Sequence, residues 1–103
     1  MVKTTSSMSE FNKVVKNGKI VIDFYATWCG PCKMISPKFE AFAEKYTNAV
    51  FIKVDVDEVP EVAEQASIRA MPTFHIYQNG EKIIEIVGAD PSRLEAEIKK
   101  HAA

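Results

Sequence analysis

The chain has only two cysteines among its 103 residues, and they sit in the stretch Trp28-Cys29-Gly30-Pro31-Cys32. An apolar run, Ile20 to Ala26, ends just before them, and a segment of helical periodicity begins just after. A helix N-terminus offers unpaired amides and the positive end of the macrodipole, which favour a thiolate over a thiol. The chemistry this points to is dithiol–disulfide exchange. Cys29 falls at or just before the first turn, where it is expected to face solvent. Cys32 falls about one turn inside, where access is poorer. That asymmetry assigns attack on a target disulfide to Cys29 and resolution of the mixed disulfide to Cys32. Pro31 has no amide to lose at a helix start, and Gly30 leaves the approach open to another chain. Trp28 reads as a docking surface or lid, with simple packing as the alternative.

Two blander readings of the pair stand beside this one. A static staple closing so short a ring stabilises by only about 2 kcal/mol in the chain-entropy model. A structural zinc needs four ligands. Only His75 and His101 remain as usual partners, one in a strand and one near the C-terminus, without ligand spacing. The expectation is therefore no metal.

Asp23 interrupts the apolar run six residues before Cys29. A carboxyl there is expected to be partly buried, with its pKa raised by desolvation, and able to take a proton from Cys32. Lys53 interrupts the next apolar run in a similar way. It reads as a partner for Asp23 or as a side chain extending to solvent. Met71-Pro72 opens a later strand, where proline is confined to a start, an edge or a bulge. Gly88-Ala89 follows the last strand, as a plain turn or a place of close backbone approach.

The elements that must position these residues follow from periodicity and punctuation. Val2 to Thr5 reads as a short strand. Ser7 and Glu10 form a capping box ahead of Met8, Phe11, Val14 and Val15 at helical spacing, and Asn17-Gly18 ends that helix. Ile20 to Ala26 reads as a strand covered on both faces. Ile35, Phe39, Phe42 and Tyr46 form a helical stripe, with a kink expected near Pro37, which has no amide for the Lys33 carbonyl. Val50 to Val56 is another strand. Val59, Val62, Ala63 and Ala66 mark a short helix with Pro60 in its first turn. Thr73 to Gln78 and Glu81 to Val87 form a hairpin about Asn79-Gly80, because both central residues of such a turn need positive φ. Asp90-Pro91 caps a closing helix that buries Leu94 and Ile98. The order β-α-β-α-β-α-β-β-α predicts an α/β fold, a mixed central sheet with helices on both faces. The spacing leaves strand order open.

The chain reads as one domain, residues 1–103, large enough for a single core. Hydrophobic residues make up 47% and charged residues 26%, with a net charge of −1. That balance gives no basic surface for nucleic acid, and no apolar run approaches the ~20 residues of a membrane span. Met1 to Glu10 lacks a signal-peptide core and an Arg-rich transit pattern, so an intracellular, cytosolic placement is expected.

Taken together, Asp23 through Cys32, Met71-Pro72-Thr73, Asn79-Gly80 and Gly88-Ala89 resemble the thioredoxin family along the whole length. The resemblance implies a five-stranded sheet of order 1-3-2-4-5 flanked by four helices. It implies a cis Pro72 close to the dithiol, with the Met71 backbone pairing to an extended target segment. It makes Trp28, Gly30, Pro31, Val56, Met71, Val87, Gly88 and Ala89 a shallow apolar docking surface, and Asp23 the buried acid near Cys32 with Lys53 beside it. The Gly30-Pro31 dipeptide favours the reductase branch over isomerases and oxidases. A general protein disulfide reductase is implied, with a redox-active Cys29–Cys32 disulfide, no bound cofactor, and electrons from NADPH through a flavoprotein, thioredoxin reductase. Implied targets include peroxiredoxins, methionine sulfoxide reductases and ribonucleotide reductase. The implied state is a monomer, cytoplasmic and also nuclear. The rival is a thioredoxin-like binding subunit that docks a partner without turnover. Tyr25 stands where many members carry a second tryptophan, and the extra cysteines of many animal members are absent.

Overall fold

A computed structural model describes residues 1–103. The elements in chain order are β1 (Val2–Thr4), α1 (Met8–Val14), β2 (Lys19–Tyr25), α2 (Gly30–Lys45), β3 (Val50–Asp55), α3 (Pro60–Gln65), β4 (Thr73–Gln78), β5 (Glu81–Val87) and α4 (Pro91–His101). The sheet order is β1-β3-β2-β4-β5. The first three of these run parallel, and β4 and β5 are antiparallel. Element order and strand order are those expected, with boundaries shifted by a residue or two.

The period-two alternation of β2 divides the core into two layers. Ile20, Ile22 and Phe24 join Ile52 and Val54 of β3 and meet Phe11 of α1 and Val62 of α3. Val21 points to the other side, with Phe74 and Ile76 of β4, and meets Ile35, Phe39 and Phe42 of α2 and Leu94 and Ile98 of α4. Phe39 sits 5.4 Å from Phe51 and 5.7 Å from Phe74 between ring centroids. Burying a side chain of this size contributes roughly 1.5–3 kcal/mol. Asp23 shares the alternation of Val21, so it lies on the side covered by α2, the helix that begins at the dithiol.

The punctuation works as read, with local differences. Ser7 Oγ accepts from Glu10 N at 3.1 Å, but the returning bond comes from Ser6 N to Glu10 Oε1, at 2.8 Å, one residue earlier than a capping box places it. Asn79 and Gly80 both have positive φ, 51° and 89°. A register shift between Ile76 and Tyr77, which no spacing announces, interrupts that hairpin. The hairpin tip is also tied down: Gly18 N donates to Asn79 Oδ1 at 2.8 Å, and Asn79 N donates to Gly18 O at 2.9 Å. Asp90 Oδ1 accepts from Arg93 N at 3.2 Å to cap α4. Helix α2 runs unbroken through Pro37.

Candidate active site

Strand β2 delivers the chain to the end of the sheet, and the turn after Tyr25 leads into α2. Cys29 is the N-cap of that helix, with extended backbone, and its Sγ accepts from Cys32 N at 3.2 Å. A serine or threonine oxygen commonly fills this capping role; here a sulfur does. A charge on that sulfur therefore faces a backbone donor and the positive end of the helix. Cys29 and Cys32 are joined as a disulfide with their Cα atoms 5.3 Å apart.

The expected difference in exposure is not met in this disulfide form. Cys29 is 5% exposed and Cys32 4%. What separates the two sulfurs is their surroundings. Cys29 Sγ lies 3.7 Å from the Met71 carbonyl, on the side of the β4 approach. Cys32 lines a recess of about 230 Å³ together with Asp23, Tyr25, Ala26, Thr27, Lys33, Ser36 and Lys53.

Asp23 is buried, and its Oδ1 has no hydrogen-bond partner. Burial pushes its pKa from 3.8 up to about 7. The Lys53 ammonium pulls it down and the Glu40 carboxylate pushes it up, and both effects are smaller than that of burial. Lys53 is the register partner of Asp23 across the β2–β3 ladder. It is half-buried, and its Nζ lies 5.7 Å from the centroid of the Tyr25 ring. Burial, followed by the charges of Asp55, Glu58 and Asp23, raises the Tyr25 hydroxyl above its ordinary pKa.

The Met71–Pro72 peptide is cis, as the resemblance implies. The loop around it is held on both sides: Thr73 Oγ1 donates to Ala70 O at 2.6 Å, and Gly88 N donates to Pro72 O at 2.9 Å. Gly88 meets this contact with φ of 102°, a conformation that suits glycine. Met71 and Val56 pack against the cysteine cluster. Trp28 and Val87 stand in solvent, 67% and 55% exposed. Pro31 occupies the first turn of α2. A Cβ added at Gly30 meets nothing within 4 Å, so a side chain there could obstruct only an approaching molecule. Ala89 is half-buried and packs against the core beneath α4. The chosen residues thus converge on one end of the sheet, with Trp28 and Val87 standing out in solvent and Pro72 buried like the two cysteines.

Sequence reasoning missed Asp57. Its Oδ2 accepts from Trp28 Nε1 at 2.8 Å, which orients the exposed indole. Nothing in the spacing links two residues 29 apart. Tyr25, Lys33 and Ser36 were also missed as recess walls. For Tyr25 a signal existed, because it shares a strand face with Asp23, two residues on. No group of three or more His, Cys, Asp or Glu side chains gathers in metal-binding geometry. His75 is fully buried and bonded to Glu85 instead. No helix is long and apolar enough to cross a membrane.

A family model described as Thioredoxin matches residues 2–100. Thioredoxin-1 of Schizosaccharomyces pombe is 59% identical over 100 residues, covering 96% of this chain and 97% of that protein. The structure of Plasmodium falciparum thioredoxin superposes with a TM-score of 0.95 at 46% identity, over 97% of this chain and 99% of the other. A further structure belongs to work on thiol resolution in a yeast mitochondrial 1-Cys peroxiredoxin via the glutathione and thioredoxin systems. It matches with a TM-score of 0.92 at 43% identity, over 96% and 94% of the two chains.

Proposed function

The chain belongs to the thioredoxin family of dithiol–disulfide oxidoreductases and reduces protein disulfides, and within that reaction we propose a fixed role for each side chain at the end of the sheet. Cys29, as thiolate, attacks one sulfur of a target disulfide. The new bond joins Cys29 to the target, and the other target sulfur leaves as a thiolate that takes up a proton. Asp23 then accepts the proton of the Cys32 thiol. The resulting thiolate attacks the Cys29 sulfur, closes the Cys29–Cys32 disulfide and expels the second target thiolate, which is protonated in turn. The target gains two electrons and two protons. The chain loses two electrons and the Cys32 proton by way of Asp23, and the other proton comes from solvent, which received it when Cys29 ionised.

The observation that carries this division is the recess: Cys32 and Asp23 share it, and Cys29 faces the Met71 carbonyl instead. An acid near pKa 7 can both take and return a proton at neutral pH. Trp28, Gly30, Pro31, Val56, Met71, Pro72, Val87, Gly88 and Ala89 form the surface that receives the extended target segment. Lys53 moderates Asp23.

The oxidised form is recharged with electrons from NADPH by a flavoprotein, thioredoxin reductase. Targets are disulfide-containing proteins such as peroxiredoxins, methionine sulfoxide reductases and ribonucleotide reductase. The structural relative from the peroxiredoxin study supports the first of these. The working form is a monomeric single domain in the cytoplasm and nucleus, without bound metal. A binding subunit without turnover draws no separate support, because the docking surface surrounds an intact redox pair.

Trapping tests the roles. Cys32→Ser should leave target proteins covalently held on Cys29, and the adducts should be released by a small thiol. Cys29→Ser should trap none. The reverse pattern would overturn the assignment.

A further inference from the structure

Asp23 and Tyr25 lie two apart on β2, so they share one face of the sheet, and both line the recess behind Cys32. Lys53 lines it as well and starts beside Asp23 in the ladder. Two opposite charges so placed would ordinarily pair. Here no ion pair joins them, and Asp23 Oδ1 is left without a partner. The ammonium instead rests over the Tyr25 ring, 5.7 Å from its centroid. A cation over an aromatic face is held by the ring quadrupole, at a site that costs it little hydration.

We propose that Tyr25 is a positioning residue for the dithiol reaction: its ring tethers the Lys53 ammonium at the recess, and the tethered charge loosens the hold of Asp23 on its proton. The competing pulls on Lys53 point outward. Asp55, the register partner of Tyr25, and Glu58 bring negative charge to the tyrosine. On the α2 side, Lys33 lines the recess and the charge of Glu40 reaches Asp23. From β4, Asp23 is opposed by Phe74, which carries no charge. Without the ring, the ammonium drifts toward water and the outer carboxylates. Asp23 then loses its one favourable charge and holds its proton more tightly. The inference deepens the reading of Asp23 as the proton acceptor and rests on it for its meaning in the reaction.

The test is an NMR titration of the Asp23 carboxyl carbon in the oxidised protein, which involves no turnover. Tyr25→Leu keeps apolar cover over the recess but removes the ring, and the midpoint should rise by about half a pH unit. Tyr25→Phe keeps the ring and should titrate as the parent does. Lys53→Met should also raise the midpoint, and adding Tyr25→Leu to it should change nothing further. An unchanged or lower midpoint in Tyr25→Leu would overturn the inference. So would a rise of equal size with Lys53 already removed, or a Phe variant that behaves like Leu. If Asp23→Asn released targets as fast as the parent, the base assignment would fail, and the tether would still stand or fall on the titration.

Discussion

Adjacent strands of the sheet each bury one titratable side chain, on opposite faces and with opposite consequences. Asp23 of β2 lies beneath α2, beside Cys32, with one oxygen unpartnered and its pKa pushed up to about 7. His75 of β4 lies on the other face, fully buried, with its ring 4.9 Å from that of Phe24. Its Nε2 bonds to Glu85 Oε2 at 2.7 Å, and burial holds its pKa below the ordinary histidine value, against the pull of that carboxylate. Burial disfavours the charged form in both cases. Asp23 opens onto reacting sulfur, whereas His75 is sealed among apolar and aromatic side chains. Desolvation is therefore common to both, and what sets them apart is what each side chain faces.

The two groups also act on stability in opposite directions over one pH range. Asp23 keeps its proton in the fold while the unfolded chain loses it above pH 3.8, so this group removes stability as pH rises from there toward 7. His75 stays neutral in the fold while the unfolded chain takes a proton below pH 6.5, so this group removes stability as pH falls. Each has a limiting slope of about 1.4 kcal/mol per pH unit.

The larger expected effect is at Asp23. Asp23→Asn keeps the shape of the protonated acid and should make the protein more stable at pH 8 by a few kcal/mol, read by chemical denaturation. A variant less stable than the parent there would mean that the carboxylate has a partner. The smaller effect is at His75. His75→Leu should flatten the loss of stability between pH 6.5 and 5, and the reduction rate at pH 7 should not change. Glu85 is partly exposed and can be solvated once its partner is gone. A matching loss of activity would join the two faces and break the contrast between them.

The groups behind this contrast were unequally legible in the sequence. Asp23 announces itself, because a carboxylate inside a run of apolar residues has few places to go but inward. The hairpin announces itself through Asn79-Gly80, and α4 through Asp90-Pro91, because local backbone geometry selects those residues. His75 stands in an equally apolar strand, yet its partner lies across a hairpin whose register shifts midway, so counting residues from the turn does not reveal the pair. The bonds from Trp28 to Asp57 and from Gly18 to Asn79 span 29 and 61 residues and leave no periodic trace. Cys29 caps α2 as the helical pattern implies, whereas the difference in exposure expected between the two cysteines is absent. Solvent access does not separate them, and the groups they face do.

Proton transfer from Cys32 to Asp23 lies at the centre of the proposed reaction. Its most direct test is the rate at which a preformed Cys29–target mixed disulfide releases reduced target, followed from pH 5.5 to 8.5. The parent should show a rise with a midpoint near 7, where Asp23 titrates. Asp23→Asn should lose that step and run about a hundredfold slower at neutral pH. An unaltered pH profile and rate in Asp23→Asn would contradict the account.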